Sequence, residues 1–168
     1  MIGPYQKGAL ASVSTLVGEE GHMGSWERGD GVVELPDGRR VRGRGLRAGR
    51  PGPGDEPELG VYLTGRRPPS QPWESRWVRW PDFALPRSTP DAVAVLREAY
   101  ERAADERVEV ACGGGTGRTG TALALLAVWG GVRPDDAVAW VRAHYRPRAA
   151  ETPWQRRWVR RTGARTVA

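Results

Sequence analysis

The sequence predicts a single α/β domain in which a central mixed sheet is flanked by helices. Two observations favour this class. Short extended runs bounded by turn residues occupy the first half of the chain, and apolar residues recur at helical spacing from Ser88 onward. The length of 168 residues, 39% of them hydrophobic, suits one globular core and leaves little room for a second.

The first predicted strands form a β-hairpin. Val32–Leu35 and Arg40–Arg42 are extended runs on either side of the turn tripeptide Pro36–Gly38. Arg47–Pro57 is rich in Gly and Pro and is predicted to be a surface loop. Two further strands are predicted, at Leu59–Leu63 and Trp77–Trp80.

Helical patterns dominate the second half. Thr89-Pro90-Asp91 supplies a cap residue, a first-turn proline and an acid, which predicts a helix over Pro90–Ala104. Arg107–Ala111 predicts a strand that runs directly into a glycine-rich loop, and Thr119–Trp129 is apolar enough for a buried helix. Two more helices are predicted, from Pro134 to His144 and from Pro153 to Arg161.

Composition excludes several classes of protein. The 23 Gly and 14 Pro residues make up about a fifth of the chain, below the roughly 25–30% typical of low-complexity sequence. No run approaches the ~18 apolar residues of a membrane span, so we expect a cytoplasmic protein without a membrane partner. With Cys112 as the only cysteine and only two histidines, we expect no disulfide and no metal site.

Charge and residue usage suggest a partner and a source. The net charge of +6 favours a polyanionic or phosphorylated partner, although a solvated arginine-rich surface is an equally good interpretation. Only one of the 26 basic residues is lysine and Asn is absent, which favours a GC-rich bacterium. Gly21–Met23 is typical of a cloning junction, so we expect residues 1–22 to be a tag or a disordered extension and residues 23–168 to be the domain.

The loop from Cys112 to Gly120 joins a predicted strand to a predicted helix, where backbone N–H groups and the helix dipole favour anions. A Walker A loop needs Gly at the position of Cys112 and Lys at the position of Arg118. This sequence has neither residue there, so it does not fit a Walker A loop. Gly115–Gly120 does fit G-x-G-x-x-G. The dinucleotide fingerprint also needs a strand ending in an acid about 20 residues later, where this sequence predicts a helix.

The spacing of Cys112 and Arg118 in Cys-Gly-Gly-Gly-Thr-Gly-Arg-Thr-Gly resembles the signature loop of the cysteine-dependent protein-tyrosine phosphatase superfamily, which includes dual-specificity enzymes. Two further segments are similar to superfamily elements and occur in the same order. Trp80–Phe83 (Trp-Pro-Asp-Phe) resembles the movable general-acid loop, and Glu151–Gln155 (Glu-Thr-Pro-Trp-Gln) resembles a downstream Gln-Thr-x-x-Gln element. The resemblance spans about half of the chain, from Trp77 to Trp158.

The resemblance implies an enzyme that forms a phosphocysteine intermediate and needs no cofactor or metal. Cys112 would be the nucleophile, and the helix N-terminus, Arg118 and the Thr119 hydroxyl would favour its thiolate. Arg118 would also hold two phosphate oxygens at once, which lysine cannot do in the same geometry. The phosphate would lie on the loop residues Gly113, Gly114, Gly115, Thr116 and Gly117.

The other two segments imply further roles. Asp82 would protonate the leaving oxygen and then activate the water that hydrolyses the intermediate. Gln155 would position that water, and Trp80 would anchor the loop as it closes on substrate. Without substrate, we expect the Asp82 carboxyl to lie farther from the phosphate site.

The sequence also departs from the superfamily. Ala111 stands where a His usually precedes the nucleophile, and Glu151 replaces the first Gln of the downstream element. We therefore expect a monomeric tyrosine or dual-specificity phosphatase acting on a phosphoprotein, and two alternatives stay open. One is a phosphatase of RNA 5′ ends or small metabolites, with nucleic acid the less favoured partner. The other is a catalytically weak phosphate-binding module.

Overall fold

A computed structural model of the chain describes residues 24–167, so the expected tag or extension lies outside the described residues. Five strands form one sheet in the order β1-β2-β5-β3-β4. The β1–β2 hairpin is antiparallel and the other pairs are parallel, which confirms the predicted mixed sheet. The strands are β1 (Val32–Glu34), β2 (Arg40–Gly45), β3 (Leu59–Thr64), β4 (Glu74–Arg79) and β5 (Val108–Cys112).

Four helices pack around this sheet: α1 (Thr89–Arg102), α2 (Gly117–Trp129), α3 (Ala137–His144) and α4 (Pro153–Thr166). Helix α1 contacts β3 and β4, whereas α2 contacts β5 and β2 and is covered by α3 and α4. Helix α2 is therefore buried along most of its length, as its apolar sequence predicts. Within residues 24–167, no helix is long and apolar enough to cross a membrane.

Some element boundaries differ from the predictions. Strand β4 begins at Glu74, because its pairing with β3 starts there, although the apolar pattern appears only from Trp77. Helix α3 begins three residues after Pro134, because the Asp136 N–H first closes a turn onto the Arg133 carbonyl (2.9 Å). Helix α4 continues to Thr166, whose hydroxyl accepts a hydrogen bond from the Trp129 indole at 2.8 Å.

Strand β5 presents two different faces. Its alternation points Val108, Val110 and Cys112 into the apolar core and places Glu109 on the opposite face. Glu109 is fully buried there, with Arg42 at 2.6 Å and Arg44 at 2.9 Å. These three residues, which we call the Glu109 cluster, join β5 to β2 through side chains as well as through the backbone.

The Glu109 cluster also positions the segment that follows β2. A 3-10 turn, Leu46–Ala48, comes directly after the strand. Arg44 donates a hydrogen bond from Nη1 to the Gly49 carbonyl at 2.5 Å. The Arg47 backbone N–H donates to the Gly113 carbonyl at 3.0 Å. The turn is thus held beside the glycine-rich loop that follows β5.

Substitution Glu109→Gln is expected to lower the free energy of unfolding by about 3–5 kcal/mol, because two largely buried guanidinium groups lose the carboxylate between them and only Arg42 keeps another acid, Asp55. Urea denaturation at neutral pH measures this loss. Glu98→Gln is the matched control, since Glu98 also pairs with two arginines but on the surface, and should cost less than about 1 kcal/mol. Equal losses in the two variants would contradict a structural role for the cluster.

Candidate active site

The strand, loop and helix predicted around the single cysteine are present. Cys112 ends β5, Arg118 lies in the first turn of α2, and we call the segment between and including them the cysteine loop. The Cys112 side chain is 2% exposed, and its Sγ accepts a hydrogen bond from the Gly115 N–H at 3.2 Å. The loop therefore curls back so that a backbone N–H points at the sulfur, a geometry that suits an anion.

Two glycines allow the cysteine loop to touch the end of β2. Gly115 has φ 71°, and a Cβ on it would lie 2.5 Å from the Gly45 nitrogen. A Cβ on Gly45 would in turn lie 2.8 Å from the Gly114 carbonyl oxygen. Any side chain at these positions would push the loop away from the strand.

Tyr145 and Arg146 support the cysteine loop, and no sequence pattern indicates this role for either residue. The Tyr145 hydroxyl donates to the Gly115 carbonyl at 2.5 Å, and its ring covers Gly43 so closely that a Cβ there would lie 2.6 Å from the ring. Burial raises the pKa of Tyr145 to about 12, so the hydroxyl keeps its proton at neutral pH. Arg146 Nη1 donates to the Gly114 carbonyl at 2.9 Å.

Arg118 connects the cysteine loop to Trp80–Ala84, which we call the acid loop. Its Nη1 donates to the Trp80 carbonyl at 3.0 Å, and its Nη2 lies 3.2 Å from Asp82 Oδ1. The structure thus brings together three of the predicted site residues. The Asp82 carboxylate thus pairs with the arginine here, and its movement towards a bound substrate stays a prediction.

Two polar atoms at the base of the site have no hydrogen-bond partner among residues 24–167. They are Arg118 Nε and the Thr119 hydroxyl oxygen, and both are buried. Buried polar groups are normally paired, so an unpaired donor beside an anion-binding loop indicates where a ligand oxygen can bind. Within the same described range, no three His, Cys, Asp or Glu side chains converge on a point that could hold a metal ion.

Side chains hold the acid loop in a compact turn. Trp80 is fully buried, and its indole N–H donates to the Ala84 carbonyl at 2.7 Å. Phe83 has a left-handed backbone (φ 56°), and its carbonyl accepts a hydrogen bond from the Trp154 indole at 2.6 Å. Trp80 therefore ties the two ends of the acid loop together, and its predicted role as the anchor of a closing loop stays a prediction.

Gln155 is buried, and both ends of its amide are occupied. Its Oε1 accepts from the Thr152 N–H at 3.2 Å as part of a capping box at the start of α4, and its Nε2 donates to the Ala84 carbonyl at 3.2 Å. The amide thus links α4 to the acid loop. The resemblance implies that Gln155 positions a water, and one of these two hydrogen bonds must break before it can do so. This role stays a prediction.

Glu151 occupies the position of the first Gln in the downstream element. A Cβ on Gly117 would lie 3.0 Å from Glu151 Oε2, so this carboxylate lies against the first residue of α2. A carboxylate at that place repels a bound anion, because both carry negative charge. Glu151 therefore places a negative charge beside the N-terminus of α2.

A model of one protein family, described as the Swiss Army Knife protein DSP-PTPase phosphatase domain, matches residues 84–167, which is half of the chain. The match includes the whole cysteine loop and the Gln155 segment. It begins just after Asp82, so the first part of the acid loop lies outside it. No curated protein is similar enough in sequence to count as a relative.

Several solved structures share the fold, among them two forms of Tk-PTP. One is a crystal structure of Tk-PTP in its active form, with a TM-score of 0.61 and 24% sequence identity over 80% of this chain and 97% of that chain. The other is a glycine-to-alanine mutant form of Tk-PTP, with a TM-score of 0.58 and 27% identity over 66% of this chain and 80% of that chain. The sheet and helices described above are thus similar to those of Tk-PTP.

Substitution Tyr145→Phe is expected to lower kcat/KM for p-nitrophenyl phosphate about tenfold, while unfolding free energy falls by only about 1 kcal/mol, because one hydrogen bond to the cysteine loop is lost and the ring packing is kept. Steady-state kinetics and urea denaturation measure the two effects. Tyr100→Phe is the control, since its hydroxyl bonds the Trp129 carbonyl at 2.9 Å. A similar kinetic loss in both variants would exclude a specific effect on the loop.

Proposed function

The chain belongs to the Swiss Army Knife family of DSP-PTPase phosphatase domains and is therefore an enzyme, and from this premise we propose that it hydrolyses phosphomonoesters through a phosphocysteine intermediate on Cys112. The observation that carries the proposal is the junction of β5 and α2. There the Cys112 sulfur faces a backbone N–H, and the buried Arg118 Nε has no partner in the described part of the chain. Such a cradle accepts phosphoryl oxygens around a nucleophile.

In the first step, the Cys112 thiolate attacks phosphorus, and an S–P bond forms as the P–O bond to the leaving group breaks. Asp82 gives its proton to the leaving oxygen. Arg118 binds two equatorial oxygens of the transferring group, so its contact with Asp82 is exchanged for contacts with phosphate. The unpaired Nε of Arg118 supports this exchange, because it can donate to a phosphate oxygen without first losing another hydrogen bond.

In the second step, a water molecule attacks phosphorus and transfers a proton to the Asp82 carboxylate. The S–P bond breaks, which regenerates the thiolate and releases inorganic phosphate. Gln155 is proposed to orient this water once its Nε2 leaves the Ala84 carbonyl. Thr119 is proposed to donate its unpaired hydroxyl to the departing thiolate, which stabilises the sulfur as a leaving group.

A phosphoprotein is the proposed substrate, and the apolar rim of the acid loop supports this choice. Among residues 24–167, four large hydrophobic side chains are exposed, and three of them lie on or beside the acid loop: Phe83, Leu85 and Trp154. Trp154 is joined to Phe83 by the indole hydrogen bond described above. An exposed aromatic rim fits the ring of phosphotyrosine and apolar neighbours in a peptide.

A phosphatase of small metabolites or RNA 5′ ends is the second candidate. It is favoured by Arg47, whose guanidinium lies against the bare glycines of the cysteine loop. A panel of a phosphotyrosine peptide, a phosphoserine peptide, 5′-phosphorylated RNA and a sugar phosphate distinguishes the candidates by kcat/KM. A tenfold or greater preference for either non-protein substrate would overturn the phosphoprotein proposal.

Substitution Cys112→Ser is expected to abolish hydrolysis of p-nitrophenyl phosphate while inorganic phosphate still binds, because the N–H groups of the loop and Arg118 remain in place. Initial rates measure the first effect and calorimetric titration with phosphate the second. Hydrolysis retained in Cys112→Ser would exclude the phosphocysteine intermediate. Phosphate binding by a wild-type protein without turnover would instead support a weak binding module.

Substitution Asp82→Asn is expected to lower turnover of substrates with poor leaving groups by about 10²–10⁴-fold and to affect p-nitrophenyl phosphate much less, because p-nitrophenolate leaves without a proton. Comparing phenyl phosphate with p-nitrophenyl phosphate measures this difference. Asp91→Asn, an exposed carboxylate in the first turn of α1, is the control and should leave both rates unchanged. Equal losses on both substrates would remove Asp82 from the acid role.

A further inference from the structure

We propose that Arg47 forms, beside the cysteine loop, a subsite for a second phosphate group of the substrate, attached close to the phosphate that is cleaved. The inference rests on the proposed phosphatase chemistry of Cys112 but not on the proposal of a phosphoprotein substrate. Among small substrates, it assigns the enzyme a preference for those that carry two phosphate groups on neighbouring atoms.

The position of the Arg47 guanidinium is defined by the glycines beneath it. A Cβ on Gly113 would lie 3.4 Å from Nη2 of Arg47 and also 3.4 Å from Nη2 of Arg118. The two Nη2 atoms are therefore no more than twice that distance apart. A Cβ on Gly114 would lie 3.4 Å from Arg47 Nη1, so the guanidinium extends over both glycines.

The Arg47 side chain is exposed and, among residues 24–167, has no hydrogen bond or ion pair. Its neighbours in space and sequence are different. Arg118 pairs with Asp82, and Arg44 pairs with Glu109. The backbone beneath Arg47 is nonetheless fixed, since its N–H donates to the Gly113 carbonyl and Arg44 holds the Gly49 carbonyl. The Arg47 backbone is thus fixed at the edge of the cysteine loop, and its side chain carries a cation that is unpaired among the described residues.

The charges around the cysteine loop indicate what the Arg47 guanidinium can bind. One phosphomonoester dianion is met by Arg118, the loop N–H groups and the positive end of the α2 dipole. Arg47 adds a further planar cation suited to phosphate. A second cation on the loop, Arg146, is already engaged with the Gly114 carbonyl and the Thr116 hydroxyl, and Glu151 lies against Gly117. A second anion is therefore best accommodated between Arg47 and the cleaved phosphate.

The same geometry limits how far apart the two phosphates can be. The Arg47 guanidinium lies over Gly113 and Gly114, directly beside the loop proposed to hold the cleaved phosphate. Gly113 and Gly114 contribute no side chains, so the space between the two guanidinium groups stays open. A group on a distant part of a substrate does not reach this space, whereas one on an adjacent atom does.

The test compares 1,2-phenylene bisphosphate with its 1,4-isomer, which have the same charge and the same kind of leaving group but different phosphate spacing. The wild-type enzyme is expected to show at least about a tenfold higher kcat/KM for the 1,2-isomer. Arg47→Gln is expected to remove this preference. Arg50→Gln, which changes an exposed arginine of the same loop, is the matched control and should keep it.

Calorimetric titration with pyrophosphate and orthophosphate separates the subsite from catalysis. Wild type is expected to bind pyrophosphate at least about tenfold more tightly, and Arg47→Gln to lose that margin. Hydrolysis of both isomers with no preference would overturn the subsite and leave the phosphatase proposal intact. Preference for pyrophosphate without any hydrolysis would overturn the catalytic proposal and support the subsite. Equal losses for both isomers in Arg47→Gln would mean that Arg47 binds the cleaved phosphate instead.

Discussion

A buried carboxylate between two arginines determines where the cysteine loop lies. Glu109 is three residues before Cys112 on β5 and bonds to Arg42 and Arg44 of β2. A buried ion pair contributes little net stability, since desolvation offsets the attraction, but breaking one is costly. The effect of this cluster is therefore chiefly one of geometry. It fixes which part of β2 lies beside the nucleophile. The 3-10 turn that follows β2 then contacts the cysteine loop.

The close approach of β2 and the cysteine loop follows from this strand register. In the parallel pairing, Gly45 lies opposite Cys112. Backbone from the end of β2 then touches Gly114 and Gly115, which only glycines at these positions allow. These glycines give the cysteine loop no side chains that could contact substrate. They also let β2 approach closely enough to bring Arg47 to the cysteine loop.

Much of the fold could be predicted from local patterns. The hairpin, the strand before the cysteine and the buried helix after it are each specified by residues adjacent in sequence, and the structure confirms them. The order of Trp80, Cys112 and Gln155 along the chain also sufficed to indicate the family. Element ends were less accurate, because pairing partners and turns determine them: β4 extends as far as β3 offers hydrogen bonds.

The supports of the site could not be predicted, because they depend on contacts between distant segments. Tyr145 follows an ordinary amphipathic helix, and nothing in its neighbours indicates a bond to Gly115. Arg47 occurs in a segment whose Gly and Pro content indicates only a surface loop. Gln155 was singled out by resemblance, yet its bonds to Thr152 and Ala84 arise from the capping of α4 and the path of the acid loop.

The presence of a single cysteine has a consequence for oxidative chemistry. A cysteine held as a thiolate is easily oxidised to a sulfenic acid, which a nearby second thiol can trap as a disulfide before further oxidation makes the damage irreversible. These 168 residues contain no other cysteine, so Cys112 has no resolving partner within them. A thiol that reduces an oxidised Cys112 must therefore come from outside these residues and reach a sulfur that is almost fully buried.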